Sequence, residues 1–231
     1  MTRLRCADLG RVRYGPALDL QRRLHALRQQ GEVEDIVLFL EHEPVITIGR
    51  RGDAGHILLT PDELARAGVE VFPVERGGDV TYHGPGQIVL YPILDLRGWG
   101  RDVHRYVHDL EEVMIRIARA FGIEAERRPG FPGVWHERGK LGAVGIHVRN
   151  WVTMHGLAFN VDPRPDGFRW IVPCGIPGAR AVSLADLLGE PVPMEEAWEA
   201  ARQAVEDVLG AGLEPVGREE VEAWASASRT G

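Results

Sequence analysis

Two apolar segments in the second half of the 231-residue chain constrain its fold more than any other feature. Residues 141–149 (LGAVGIHVR) and 152–161 (VTMHGLAFNV) are rich in β-branched and apolar residues, and only Asn150 and Trp151 separate them. Two such runs joined by a two-residue connection predict a β-hairpin. The second half of the chain is therefore expected to be rich in strands.

Helical and extended segments alternate along the rest of the chain. Apolar residues at helical spacing predict helices over residues 15–30, 102–121, 194–209 and 218–225, and Thr60 before Pro61 predicts a short helix ending near Ala67. Short apolar runs bounded by Pro or Gly predict strands over residues 35–42, 45–48, 69–74, 87–94 and 133–136. Because hairpins occur beside crossovers, the predicted fold is α/β (α+β) with a mixed β-sheet.

Length and charge narrow the class of protein. Apolar periodic segments continue from about residue 3 to 225 without a long linker, so residues 1–231 are expected to form a single domain. The apolar runs fall far below the roughly 18 residues that cross a bilayer, and the N-terminus has no apolar signal segment. A net charge of −7 argues against nucleic-acid binding. We therefore expect a cytoplasmic protein with no nucleic-acid or membrane partner.

The use of basic residues singles out one position. Of the 27 basic residues, 26 are arginine, and Lys140 is the single lysine. A chain that uses arginine wherever a surface cation suffices has kept one lysine, beside Gly139 at the start of a predicted strand. We interpret this as a position that needs an amine able to lose its proton, which arginine in a protein cannot do.

Three segments that combine glycine with polar or reactive side chains are interpreted as loops that carry function. They are residues 76–87 (RGGDVTYHGPGQ), 139–145 (GKLGAVG) and 172–178 (VPCGIPG). The third places Cys174 between proline and glycine, outside any predicted helix or strand. Cys6 lies instead in an alternating apolar segment, which is typical of an inert buried thiol. With two cysteines, neither a disulfide framework nor a zinc site is predicted.

These residues suggest nucleophilic catalysis, with two alternatives for the base. A thiol attacks as the thiolate, which a nearby ammonium favours, so Cys174 with Lys140 forms one possible pair. Cys174 with His83 or His155 forms the other. His104 and His108 stand four residues apart on a predicted helix, but without a further ligand they are interpreted as solvated or core histidines, and no metal is expected.

Three blocks, in this order, resemble the signature blocks of the lipoyl(octanoyl) transferase family: RGGDVTYHGPGQ at 76–87, GKLGAVGIHVRNWVTMHGLAFNV at 139–161, and PCGIPG at 173–178. The resemblance extends from about residue 33 to 188. It implies a mixed β-sheet flanked by helices, similar to the catalytic domains of lipoate and biotin protein ligases. It also implies that Cys174 is the acyl-thioester nucleophile and that Lys140 lowers its pKa.

The resemblance further implies three groups of substrate-binding residues. The first group is Arg76, Gly77, Gly78, Asp79, Val80, Thr81, Tyr82 and His83, the second is Ala143, Val144 and Gly145, and the third is Gly156, Leu157 and Ala158. The second and third groups both lie within residues 139–161.

The implied reaction moves an octanoyl (or lipoyl) group from the phosphopantetheine thioester of acyl carrier protein to a lysine of a lipoyl domain. This would be the first step of endogenous protein lipoylation. Implied acceptors are the lipoyl domains of 2-oxoacid dehydrogenase complexes and the glycine cleavage H protein. Neither ATP nor a metal cofactor is implied. The acceptor lysine, with a reference pKa near 10.4, must lose its proton, and Lys140 can serve as the base.

Two other functions stay open at this stage. An ATP-dependent lipoate or biotin ligase of similar fold is suggested by Gly49, Arg50, Arg51 and Gly52 alone, and it would not need Cys174. A non-catalytic protein that binds an acyl group or a carrier domain would bind without turnover and would not depend on Cys174.

Overall fold

The computed structural model describes residues 2–163, 167–173 and 180–227 of the chain. The strands, in chain order, are β1 (Thr2–Val12), β2 (Ile36–His42), β3 (Val45–Ile48), β4 (Glu70–Pro73), β5 (Val80–His83), β6 (Gln87–Ile93), β7 (Glu126–Arg128), β8 (Phe131–His136), β9 (Gly139–Arg149), β10 (Val152–Asn160) and β11 (Ala211–Pro215). The helices are α1 (Tyr14–Gln30), α2 (Pro61–Ala67), α3 (Val103–Ala120), α4 (Leu184–Leu188), α5 (Met194–Leu209) and α6 (Arg218–Ala227).

Two sheets organise these strands. The large sheet has the order β11-β1-β2-β6-β10-β9-β8-β7, and the small sheet has the order β4-β3-β5. In the large sheet, β1 is parallel to both of its neighbours, β11 and β2. All the other neighbouring pairs, from β2–β6 to β8–β7, are antiparallel. In the small sheet, β3 is parallel to β4 and antiparallel to β5. The predicted mixed sheet is confirmed.

Helices cover both faces of the large sheet. Apolar side chains of α1 and α6 pack in one core cluster with β2, β6 and the end of β10. Those of α3 and α5 pack in a second, larger cluster on the other face. Tyr14 and Leu18 of α1 also contact Val45 of the small sheet, so α1 joins the two sheets. None of the helices in the described part of the chain is long and apolar enough to span a membrane.

Local sequence features mark the first or last turn of several helices, as expected. Gly31 closes α1 in the left-handed conformation, and the Asp102 side chain caps α3. Thr60 and Glu63 form a capping box at the start of α2. The hairpin β9–β10 turns at Asn150 and Trp151, both with positive φ, as predicted.

Two interpretations of loops were wrong. Residues 80–83, within the first glycine-rich segment, form β5, because they pair with β3 and supply a buried edge to the small sheet. In the second segment, residues 139 and 140 also belong to β9, which begins two residues before the predicted start at residue 141 and pairs with β8 and β10. Strands β1, β7 and β11 and helix α4 were not predicted.

Candidate active site

A cavity of about 470 Å³ lies between the small sheet and the β9–β10 hairpin. Its walls bring together residues of all three substrate-binding groups. The block residues that line it are Arg76, Gly77, Gly78, Asp79, Val80, Thr81, His83, Ala143, Val144, Gly145, Gly156, Leu157 and Ala158, and Lys140 lines it as well. Its size lies in the range of pockets that hold small organic ligands.

Tyr82 is the one residue of the three substrate-binding groups that does not line the cavity. Thr81 and His83 point towards the cavity, and alternation along β5 turns the intervening side chain to the opposite side. There the Tyr82 ring packs edge-on against Phe168 and Trp170, with centroid distances of 5.5 and 5.7 Å. Its position indicates a packing role on the far side of β5.

Arg76 is a buried cation held against backbone. Its guanidinium donates to the hydroxyl and carbonyl oxygens of Thr47, at 2.7 to 3.2 Å, and to the carbonyl of Gly77 at 2.9 Å. Its aliphatic part lies on Gly145, where a Cβ would come within 3.0 Å of Arg76 Cδ. Glycine at position 145 is therefore what lets this arginine lie flat at the cavity wall.

Lys140 is buried, with 8% of its surface exposed. Its Nζ donates to the carbonyl of Pro132 at 2.8 Å and lies 5.1 Å from the ring centroid of Trp135. The neighbouring N–H of Gly133 donates to the carboxylate of Glu111 on α3, at 2.9 Å, which fixes the backbone that carries the Pro132 carbonyl. The single lysine therefore sits inside the fold.

Cys174 lies outside the described residues, but the segments on either side of it are anchored at the cavity. On one side, the N–H of Val172 donates to the carbonyl of His56, whose ring lies 2.7 Å from the carboxylate of Asp79. On the other side, the backbone N–H of Lys140 donates to the carbonyl of Arg180 at 2.8 Å. Both anchors involve residues that line the cavity, namely Asp79 and Lys140.

Cys6 occupies the position expected of an inert thiol. It lies on β1 with 8% of its surface exposed and belongs to the core cluster beneath α3 and α5. Burial raises the pKa of this thiol. A thiol whose neutral form is favoured is a poor nucleophile.

Buried histidines lie beneath the cavity. His42 donates to the Val12 carbonyl and contacts the Tyr91 hydroxyl at 2.7 Å, and burial lowers its pKa to about 4. Burial, together with the nearby His42, lowers the pKa of His83 to about 3. Burial also lowers the pKa of His155. Because a general base works best when its pKa is near the ambient pH, these values disfavour His83 as the base that activates a thiol.

His155 reaches the cavity through a strained backbone. Met154 packs beside Tyr14 on the α1 side of the sheet, so regular alternation would turn His155 to the α3 side. A φ of +57° redirects it, and its ring lies 6.2 Å from that of Tyr91. Its Nε2 is buried without a hydrogen-bond partner in the described chain, 3.8 Å from the Glu75 carboxylate. Such strain is typical of functional sites.

Other residues noted in the sequence lie apart from the cavity. His104 and His108 are exposed on α3, and among the described residues no cluster of three or more metal-ligating side chains occurs. Arg127 is paired with Glu111 and Glu112, and Arg128 is paired with Glu126. Arg149 is exposed and forms no ion pair with the described residues.

Several residues at this site were not identified from the sequence. Tyr14, Tyr91 and Val107 line the cavity, and Glu111 accepts a hydrogen bond from the backbone of Gly133 beside it. Each sits in an apolar helical or strand pattern that is equally typical of core packing. Only Glu111 could have been recognised from the sequence, because an acidic residue among the buried positions of α3 is unusual for core packing.

Comparisons with known proteins agree on one family. A family model described as "Lipoyl protein ligase A/B catalytic domain" matches residues 13–206. An octanoyltransferase of Caldicellulosiruptor saccharolyticus is 46% identical over 222 residues, covering 95% of this chain and 94% of the relative.

Solved structures agree on the fold. A putative lipoate protein ligase of T. acidophilum has a TM-score of 0.76 at 16% identity and covers 98% of this chain and 94% of its own. A biotin protein ligase of Aquifex aeolicus has a TM-score of 0.50 at 13% identity, covering 91% of this chain and 70% of its own. At these identities the likeness concerns the fold alone.

Proposed function

The chain belongs to the lipoyl protein ligase A/B catalytic domain family, and we propose that it moves an octanoyl group through a thioester on Cys174. It is an enzyme that transfers octanoyl groups in protein lipoylation. In the proposed reaction, the donor is octanoyl acyl carrier protein and the acceptor is a lysine of a lipoyl domain, such as those of 2-oxoacid dehydrogenase complexes or the glycine cleavage H protein. Residues 1–231 act as one catalytic domain.

The observation that carries the proposal is that one cavity gathers Lys140 and the three substrate-binding groups. These positions are far apart along the chain, yet all line the same space. The anchoring of Val172 at His56 and of Arg180 at Lys140 supports a place for Cys174 at its edge. Consecutive Cα atoms are about 3.8 Å apart, so Cys174 follows Val172 by only two such steps.

The apolar part of the cavity suits an acyl chain. Val144 and Leu157 face each other across the β9–β10 pair, as do Ala143 and Ala158, and Val107 of α3 adds to the wall. Burial of a methylene group stabilises binding by about 0.8 kcal/mol, so an octanoyl chain gains about 5 kcal/mol here. The small alanine side chains leave the space that such a chain needs.

The first chemical step exchanges one thioester for another. The Cys174 thiolate adds to the carbonyl carbon of the octanoyl thioester, and the tetrahedral intermediate collapses with loss of the phosphopantetheine thiolate. That thiolate takes up a proton from the Lys140 ammonium, which leaves Lys140 neutral. The carbon–sulfur bond formed equals the one broken, so the step is close to balanced in free energy. In the proposed reaction, the ammonium of Lys140 favours the Cys174 thiolate.

The second step forms an amide. The neutral amine of the acceptor lysine adds to the Cys174 thioester, the added nitrogen loses one proton to Lys140 acting as base, and the Cys174 thiolate leaves. This leaves the Cys174 thiolate and the Lys140 ammonium, which is the starting state of the enzyme. Because an amide is more stable than a thioester, the reaction proceeds without ATP, and no metal is required.

ATP dependence separates this proposal from a ligase. The experiment supplies an unmodified lipoyl domain with octanoyl acyl carrier protein in one reaction, and with octanoate and ATP in a second. Mass spectrometry of the lipoyl domain is expected to show octanoylation in the first reaction only. Octanoylation that requires ATP would contradict the proposal. Binding of the octanoyl carrier without any product would instead indicate a non-catalytic binding protein.

A further inference from the structure

Four hydrogen bonds link the ring of His83 to the strand that carries Lys140. His83 Nδ1 lies 2.7 Å from Gln87 Oε1, and Gln87 Nε2 donates to Asn160 Oδ1 at 2.9 Å. Asn160 Nδ2 donates to the Val182 carbonyl at 3.0 Å, and the Val182 N–H donates to the Lys140 carbonyl at 3.0 Å. The side chains of His83, Gln87 and Asn160 are all buried.

The direction of this chain is determined by its last acceptor. The carbonyl of Val182 can only accept, so Asn160 must present its NH₂ group there and its oxygen to Gln87. Gln87 must then present its NH₂ to Asn160 and its oxygen to His83. Since that oxygen can only accept, His83 carries its proton on Nδ1. Its Nε2 therefore holds a lone pair.

That lone pair belongs to a residue that lines the cavity. Among the described residues, Nε2 of His83 has no hydrogen-bond partner, and the ring is stacked on Tyr14 at a centroid distance of 6.3 Å. A nitrogen lone pair can only accept a hydrogen bond, so its partner must be a donor. The thioester carbonyl and the octanoyl chain have none, so the acyl group cannot be the partner of His83.

We propose that Gln87 and Asn160 are positioning residues that hold His83 Nε2 as a hydrogen-bond acceptor for the attacking amine of the acceptor lysine. This inference rests on the proposed function. The amine arrives with two N–H bonds. One proton passes to Lys140 during amide formation, and the other remains on the nitrogen and points at His83 Nε2. No bond to hydrogen breaks at His83, so its role is to orient the nitrogen lone pair towards the thioester carbon.

The tautomer is tested first, by nitrogen NMR of protein labelled in its histidine rings. Protonated and lone-pair ring nitrogens differ clearly in chemical shift. Wild-type His83 is expected to carry its proton on Nδ1, and Gln87→Met is expected to move the proton to Nε2. The exposed Gln203→Met serves as the matched control and should leave His83 unchanged. A His83 that keeps the Nδ1 proton in Gln87→Met would overturn the positioning role.

The two half-reactions are then timed separately. In Gln87→Met, transfer from the acyl-enzyme to a lipoyl domain is expected to slow roughly tenfold, the scale of one lost hydrogen bond, and acylation by octanoyl carrier protein is expected to slow much less. Equal slowing of both steps, or a normal transfer rate with the altered tautomer, would overturn the inference. If wild-type protein formed no acyl-enzyme, the proposed function and the role for the amine would both fail, while the tautomer result would stand.

A second variant covers the case in which methionine disrupts folding. Gln87→Glu keeps the size of the side chain and still accepts from Nδ1, but its charge favours the doubly protonated ring. His83 Nε2 then becomes a donor, and transfer should slow as in Gln87→Met. A Gln87→Glu protein with a doubly protonated His83 and a normal transfer rate would also overturn the inference.

Discussion

Lys140 is held by backbone and aromatic surface within the fold. Its amine donates to the Pro132 carbonyl and faces the Trp135 ring, while Glu111 secures the adjoining Gly133. These contacts hold the amine of Lys140 in one orientation at the cavity wall. The planar, larger guanidinium of arginine cannot reproduce it, because its donors spread in a fork and it cannot lose its proton.

Lys140→Arg tests the proton-transfer role of this residue. If Lys140 only supplied positive charge, the variant should retain most activity. If it accepts a proton from the attacking amine, transfer to the lipoyl domain should fall by roughly 10²-fold or more, the scale of general-base catalysis. Formation of the octanoyl adduct on Cys174 and transfer of the octanoyl group to the lipoyl domain are measured separately, by rapid mixing and mass spectrometry. We expect transfer to be slowed at least as severely as adduct formation.

Lys140→Met provides the comparison for this prediction. Methionine removes both the positive charge and the base, so adduct formation on Cys174 and transfer to the lipoyl domain are both expected to slow. Near-normal rates for both steps in Lys140→Arg would reject the acid/base role and leave Lys140 as a structural cation.

At the scale of elements, β10 shows how packing sets the shape of the site. Gly156 follows the kink at His155, and a Cβ there would overlap the carbonyl oxygen of Leu90 and lie 2.7 Å from Pro92 Cδ. Pro92 lacks an N–H, so β6 cannot donate to β10 at that position. Gly156 therefore permits β6 and β10 to approach beside the strained histidine.

Gly156→Ala is expected to destabilise the fold by about 1–3 kcal/mol or more, because backbone of β6 must move to admit the methyl group. The matched control is Gly212→Ala on β11, where a Cβ would meet nothing within 4 Å. That change should be neutral or slightly stabilising. Denaturant unfolding of both variants measures the difference, and equal stability of the two proteins would contradict the close packing of β6 on β10.

Elements with strong local patterns could be predicted from the sequence. The β9–β10 hairpin and helices α1, α3 and α5 follow from periodicity and caps within each segment. Strand β11 could not be predicted, because its sequence (AGLEP) has no β-branched residue and it exists through parallel pairing of Ala211 with Thr2 at the other end of the chain. Parallel pairing of such distant segments depends on the whole fold.

The same distinction applies to the site. Motif residues and the single lysine identified most of the cavity lining before its geometry was known. Local patterns could not place Tyr82 on the far side of β5, since that depends on pairing with β3. Nor could they reveal the hydrogen bonds from His83 to Lys140, which connect β5, β6, β10 and the segment at Val182.

At the scale of the whole molecule, the cavity exists only where the two sheets meet. The small sheet supplies Thr81 and His83, and the large sheet supplies Lys140 and Ala158. Tyr14 of α1 packs against Phe72 and His42 at the junction, with ring centroids 5.2 and 4.9 Å apart. Loss of this packing would open the site as well as weaken the fold.

Buried histidines at the junction predict acid sensitivity of the whole fold. The unfolded chain binds a proton at each histidine below about pH 6.5, whereas folded His42 and His83 do so only near pH 4 and 3. Unfolding therefore takes up protons in this window, and the free energy of unfolding should fall as pH falls, by about 1.4 kcal/mol per pH unit for each group.

Denaturant unfolding between about pH 4.5 and 6.5 measures this slope. His42→Gln is expected to reduce it by about 1.4 kcal/mol per pH unit, and the exposed His104→Gln should leave it unchanged. A slope that is the same in His42→Gln and the wild-type protein would show that His42 already binds its proton in the folded state.

The covalent intermediate provides the most direct test of the account. Wild-type protein, Cys174→Ser and Cys6→Ser are each mixed with octanoyl acyl carrier protein, and intact mass and peptide mass spectrometry locate any octanoyl group. We predict one octanoyl group on Cys174 in the wild-type and Cys6→Ser proteins and none in Cys174→Ser, because the Cys6 thiol is buried away from the cavity. An octanoyl group on Cys6, or octanoyl transfer by Cys174→Ser at the wild-type rate, would contradict the account.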